Sequence, residues 1–272
     1  MNAEPARSDD STVLYSVADH VATVTLNRPD RMNAISRPML ARLVACLLRA
    51  EADSEVRVVV LTGEGKYFCV GLDLQSAASG GAEDIGPNAR MSPSLDLRNT
   101  PPTILFGMDK PTICALNGSA AGYGLDTALG CDIRLMAASA KMAAAFTKRG
   151  VVPESGGTWL LPRLIGWSKA AELIFTGRTL SAPECVDLGL ASEVVPDAEL
   201  PGRVASLAAE IAGNAPLAVQ ASKRMMRMGL TETFNDHVHH VYLQLLPLFK
   251  SDDAREGINA FLEKRPAVFS GR

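Results

Sequence analysis

"KPTICALNGSAAGYGLDTALGCDIRLMAASAKM", residues 110–142, sets two apolar runs of strand length on either side of a stretch built from small residues. The runs "TICALNG" (112–118) and "DIRLMAA" (132–138) read as strands, and "SAAGYGLDTALGC" between them leaves room for a helical crossover. A strand–helix–strand rhythm of this kind predicts an α/β core. Upstream, "VRVVVLTG" (56–63) is a continuous apolar run, as expected of a strand covered on both faces. A "GEGK" turn and "YFCVGLDL" follow it. Between Arg37 and about Ala52, Leu40, Leu43, Val44, Leu47 and Leu48 recur at helical spacing. The alternating "STVLYSVADHVATVTLN" predicts two short strands with a turn near Ala18 and Asp19. From Ser168 helical patterns alternate with Gly and Pro stops, and beyond Asp197 the chain reads as almost wholly helical.

Composition narrows the classes of function. The 272 residues carry 47% hydrophobic but only 5% aromatic side chains, which suits close helix packing more than a β-sandwich. A net charge of −3 supplies no electrostatic footprint for nucleic acid, and no lysine-rich run marks a membrane surface. No apolar run reaches spanning length, and "MNAEPARSDDST" lacks the apolar core of a signal peptide, so a cytoplasmic protein is expected. Five scattered cysteines without a C-x-x-C pair read as buried, reduced thiols. His237, His239 and His240 cluster without a Cys or carboxylate at ligand spacing, so no metal site is expected and a polar helix face is the plainer reading. Residues 75–101, "QSAASGGAEDIGPNARMSPSLDLRNTP", are too polar to bury a core and too long for an ordinary connector; a lid beside a site is one expectation.

Chemistry concentrates in three places. "FCVGLD" (68–73) and "NGSAAGYGLD" (117–126) each follow a strand and place Gly where a ligand could approach the backbone closely. If the two loops meet, their N–H groups could share one oxygen, the geometry that stabilises an oxyanion or enolate with donors about 2.7–3.1 Å away. Two unremarkable turns would carry the same glycines. The third place is "FTKRGVVPESGGTWLLPRLIG" (146–166), where Glu154 stands between Pro153 and a Ser-Gly-Gly turn. One reading makes it a helix-start acid that complements the macrodipole. The other makes it a base in an apolar pocket, its pKa raised by desolvation.

Six segments in order resemble the enoyl-CoA hydratase/isomerase family, the crotonase superfamily: "VATVTLNRPDRMNAIS", "RVVVLTGEGKYFCVGLDL", the opening stretch, "GVVPESGGTWLLPRLIG", "FTGRTLSAPECVDLGLASEVVP" and "EGINAFLEKRPAVFSGR". The resemblance implies an α/β spiral of ββα turns over residues 1–200, carrying an acyl-CoA site, and a helical region, 201–272, that forms a trimer or dimer of trimers. It implies a thioester carbonyl held by the amides of Leu72, after Gly71, and Tyr123, after Gly122. Arg31, Met32, Ala34, Cys69 and Val70, with Lys264 or Arg265 on the tail, are the implied CoA contacts. Coenzyme A enters as part of the substrate, and no separate cofactor is implied. Family hydratases use two glutamates. Their positions fall here on Asp126, one methylene shorter, and on Phe146, which transfers no proton. Glu154 occupies the position where several family isomerases carry an acid. These residues imply 3-enoyl-CoA to 2-enoyl-CoA isomerisation with Glu154 as base. The alternatives are hydration by Asp126 with Glu154, and acyl-CoA binding without catalysis.

Overall fold

The computed structural model describes residues 11–73 and 99–272. Nearly all of the segment read as a lid, 75–98 of 75–101, lies outside the described residues. Ten strands make two sheets. β1 (Val13–Ala18) and β2 (Val21–Leu26) form the expected hairpin, turned by Asp19 and His20, both at positive φ. The sheet then runs parallel through β3 (Val58–Gly63), β5 (Thr112–Leu116), β7 (Ile133–Ala137) and β10 (Glu193–Val195). β5 is buried along its whole length and β3 at five of six positions, which explains apolar runs without alternation.

A second sheet of three-residue strands lies across the first. It contains β4 (Tyr67–Cys69), β6 (Ser119–Ala121), β8 (Lys141–Ala143) and β9 (Thr179–Ser181), with the first three parallel. Each turn of the chain contributes one strand to the large sheet and the next to the small one: β3–β4, β5–β6, β7–β8. Helices α2 (Pro101–Gly107) and α3 (Tyr123–Leu129) complete two of these turns, so the expected ββα spiral is present. The small-residue stretch of the sequence is β6 followed by α3. Small side chains are needed there: a Cβ on Gly124 would overlap the Cys69 carbonyl, and one on Gly118 would overlap the Lys66 carbonyl.

α1 (Arg37–Ala52) packs on the hairpin through Met39, Leu43, Cys46, Leu47 and Ala50, and its N-terminus is capped by the Ser36 hydroxyl. α4 (Gly157–Ile165), α5 (Trp167–Thr176) and α6 (Ala182–Leu188) lead to the last parallel strand. The C-terminal region is α7 (Leu200–Ala212), α8 (Pro216–Gly229), α9 (Phe234–Leu248) and α10 (Asp252–Glu263). Buried Lys223 on α8 anchors it to the core, its Nζ reaching Asp132 at 2.7 Å and donating to the Lys110 carbonyl at 2.9 Å. Arg224 and Arg227 close on Asp109 beside it. α9 buries none of its residues and exposes Phe234, Tyr242, Leu243 and Leu246. All five cysteines are free and buried. Among the described residues no group of His, Cys, Asp or Glu is arranged to hold a metal ion, and no helix is long and apolar enough to cross a membrane.

Candidate active site

The parallel strands β4, β6 and β8 of the small sheet point the same way, and the segments that leave their C-terminal ends gather in one crevice. Ligands in α/β folds generally bind at such strand ends. Val70–Leu72 leaves β4, Gly122–Tyr123 leaves β6, and Ala145–Phe146 leaves β8. The two glycine loops do meet. A Cβ on Gly71 (φ +108°) would stand 3.1 Å from the Ala121 carbonyl oxygen and 3.5 Å from the Tyr123 nitrogen.

Two backbone donors have no acceptor there among the described residues. Ile35 pairs with Leu72 in an isolated parallel bridge: the Ile35 amide donates to the Gly71 carbonyl at 2.8 Å, and the Asp73 amide donates to the Ile35 carbonyl at 3.0 Å. That pairing consumes the groups on either side of Leu72, and backbone alternation turns the Leu72 N–H to the opposite edge. The Tyr123 N–H is the first of α3 and so has no acceptor within its helix. Leu72 and Tyr123 line the same two cavities, as an oxyanion clamp requires.

The cavities differ in character. One, of about 570 Å³, has Asp30, Arg31, Met32, Ala34, Val70, Phe146 and Arg149 in its walls. The other, of about 540 Å³, is walled mainly by Leu40, Pro102, Phe106, Trp159 and Leu160. Leu72, Tyr123 and Glu154 border both, so they mark the junction between a charged chamber and an apolar one. Asn33 braces the first. Fully buried in a left-handed conformation, it accepts from the Arg28 amide at 2.8 Å and donates to the Glu64 and Tyr67 carbonyls at 3.0 and 2.7 Å. Arg28 bridges to Asp73 at 3.1 Å, tying the 28–35 segment to the residue after Leu72.

The structure separates the two acids. Glu154 sits in a turn, outside α4, whose N-cap is Gly156 in the left-handed region and whose first turn holds no acid. The helix-start reading therefore does not hold: the Ser-Gly-Gly turn starts the helix beyond it. Glu154 is exposed, so the described residues do not by themselves supply the dry pocket the other reading assumed. Asp126 is fully buried in α3 and borders neither cavity. Its Oδ2 accepts from the Ser155 amide at 3.2 Å, and its Oδ1, packed against Gly157, makes no hydrogen bond of good geometry among the described residues. Burial raises its pKa to about 7, opposed by the Ser155 and Gly157 amides and assisted by the charge of Glu154. Gly157 is needed against it, since a Cβ there would overlap Oδ1.

Of the other expected site residues, Arg31, Met32, Ala34 and Val70 border the charged chamber, and buried Phe146 closes part of its wall. Gly71 and Gly122 adopt positive φ at the junction. The Cys69 side chain points inward, its thiol pushed up to about 12 by burial, so only its backbone belongs to the site's scaffold. Lys264 caps the end of α10 and borders neither cavity, while Arg265 is paired with Glu256 and Glu263. Arg149, Phe106 and Trp159 were not anticipated. Arg149 and Trp159 lie within the quoted 146–166 stretch, where an aromatic and a cation flanking the turn were the available signal.

Comparisons with known proteins identify the family. The family model described as enoyl-CoA hydratase/isomerase matches residues 17–272. The 1,2-epoxyphenylacetyl-CoA isomerase of Escherichia coli (strain K12) is 37% identical over 265 residues, 96% of this chain and 98% of that protein. The (E)-benzylidenesuccinyl-CoA hydratase of Thauera aromatica is 36% identical over 261 residues, 95% and 99% of the two chains. A crystal structure of enoyl-CoA hydratase from Bacillus anthracis superposes with a TM-score of 0.88 at 34% identity, covering 96% of this chain and all of that one. The chain belongs to the enoyl-CoA hydratase/isomerase family.

The buried carboxyl makes a pH-dependent prediction. Asp126 in the folded protein titrates near 7, above the unfolded value of 3.8. Between those values the folded state holds a proton that the unfolded state releases, so its contribution to stability declines as pH rises and is fully unfavourable above 7. Asp126→Asn removes this term. Urea denaturation should show the variant gaining on the wild type by a few kcal/mol between pH 4 and pH 8. A stability difference that does not change with pH would contradict the assignment.

Proposed function

We propose that this member of the enoyl-CoA hydratase/isomerase family moves a carbon–carbon double bond along an acyl-CoA, from the 3- to the 2-position, with Glu154 as its one proton-transferring group. The observation that carries the reading is the separation of the acids: Glu154 borders both chambers at the amide pair, Asp126 borders neither, and Phe146 fills the place of a further acid.

The chemistry follows from that arrangement. A thioester carbonyl between the Leu72 and Tyr123 amides becomes polarised, and its C2 protons become more acidic. Glu154 takes one of them. The electron pair of the broken C–H bond passes into a dienolate whose negative oxygen the two amides hold. Glu154 returns the proton at C4, leaving the double bond between C2 and C3. One carboxylate serves both transfers, no atom is gained or lost, and no water is required. Arg31 and Arg149 in the charged chamber supply the positive charge that suits the phosphates of coenzyme A. Hydration is the second reading. The hydratases named among the similar proteins favour it, and in this chain Asp126 and Glu154 would be the pair.

The apolar face of α9 supports a further part of the reading, assembly as a homotrimer or a dimer of trimers. Phe234 is 79% exposed, and Tyr242, Leu243 and Leu246 are each more than half exposed, so this one helix leaves four large apolar side chains uncovered. Light scattering at micromolar concentration should report a multiple of three subunits, and a stable monomer would contradict it.

The function itself is tested with panels of 2-enoyl- and 3-enoyl-CoA substrates, the products identified by mass spectrometry. Glu154→Gln keeps the shape of the side chain but loses its basicity, so turnover should fall by about 10²-fold or more while acyl-CoA affinity changes little. Asp126→Asn should be tolerated by a one-base isomerase, whereas a hydratase using the pair should lose activity in both variants. Wild-type turnover by Glu154→Gln on every accepted substrate would overturn the mechanism.

A further inference from the structure

The apolar chamber carries more information than its position. α2 contributes Pro102 and Phe106, α4 contributes Trp159 and Leu160, and α1 contributes Leu40. Among the described residues, Glu154 at the junction is the one ionisable acid or base in its walls besides the Tyr123 phenol, so the described walls of the far end offer an acyl group no charged partner. Its volume, about 540 Å³, lies within the range of about 300–1,000 Å³ typical of sites for drug-sized ligands, well beyond what a four-carbon chain fills.

The far wall is an aromatic pair. The Phe106 and Trp159 rings meet edge to face, with centroids 5.4 Å apart and planes at 73°. Trp159 is held from behind: the Arg163 guanidinium lies 3.8 Å from its ring centroid, and Arg163 donates to the Trp159 carbonyl at 3.1 Å. The Phe106 carbonyl accepts from Arg227 at 3.2 Å, which anchors the backbone of α2, and the Phe106 ring itself is braced by its edge-to-face contact with Trp159. Rings fixed in advance lose little freedom on binding, and edge-to-face packing rewards a third ring more than a flexible alkyl chain of the same carbon count. An alkyl chain gains burial alone and loses its own rotamer freedom.

Resting on the acyl-CoA reading above, we infer that the Phe106–Trp159 pair selects acyl groups ending in an uncharged aryl ring, with Trp159 as the specificity-determining residue. The test is isothermal titration calorimetry with saturated thioesters that cannot isomerise: 4-phenylbutanoyl-CoA against decanoyl-CoA, which carry equal numbers of acyl carbons, and butanoyl-CoA as the short reference. The wild type should bind the phenyl thioester about tenfold more tightly than the decanoyl one. Trp159→Leu should bring that ratio near one, and Trp159→Phe, which restores a ring, should retain most of it, with far-ultraviolet circular dichroism confirming that each variant is folded. A decanoyl affinity equal to or above the phenyl affinity would overturn the inference. So would a preference that survives Trp159→Leu, or one that Trp159→Phe loses as completely as Trp159→Leu does. Failure of the folded wild type to bind any of the three thioesters would overturn the acyl-CoA reading itself, an outcome distinct from binding without an aryl preference.

Discussion

The close approach of α3 to β4, where Gly124 lies against the Cys69 carbonyl with no room for a methyl group, sets the distance between the two backbone donors of the site. From that contact the rest of the arrangement follows. β4 and β6 pair in parallel, so the peptides leaving their ends emerge side by side. Gly71 and Gly122 turn in conformations that side chains rarely adopt, which aims the following amides into one crevice. The bridge to Ile35 occupies the neighbouring groups and leaves the Leu72 N–H to a ligand. An electrostatic site made from backbone is preorganised by the fold itself and costs no reorganisation when charge develops on a bound oxygen.

The two carboxylates show how placement decides role. They are joined through a short path, since the Ser155 amide next to Glu154 donates to Asp126. Yet one faces the junction of two chambers and the other is sealed beneath the turn. The Asp126 pKa of about 7 belongs to a buried group and by itself resembles the signature of a catalytic acid. Its absence from both cavity walls argues for a different contribution, holding the 153–157 turn against α3 so that Glu154 projects outward. Phe146 adds an apolar wall where a second acid would have favoured water.

Much of this was legible in the sequence because it is local. Apolar runs marked β3 and β5, the run around Arg134 marked β7, helical spacing marked α1, and the glycines of 71 and 122 marked the two loops. The strands of the small sheet were not separable, because three residues such as Ser119–Ala121 are too few to display a period. Asp126 and Glu154 could be nominated by residue type but not ranked, since burial and orientation are tertiary properties. Of the two readings of Glu154, the helix-start one fails because Gly156, and not an acid, caps α4. Phe106 and Trp159 come from segments more than fifty residues apart, and only their packing makes them one wall.

The proposed reaction depends on one thioester carbonyl being held by the Leu72 and Tyr123 amides. Infrared difference spectroscopy of a saturated acyl-CoA, isotopically labelled at the thioester carbonyl, measures that interaction without any turnover. Two hydrogen bonds to the oxygen weaken the carbonyl bond, so the labelled band should move to lower frequency on binding. Gly124→Ala, which forces α3 away from Cys69, should abolish much of the shift. A bound thioester whose carbonyl band stays at its solution frequency would contradict the account.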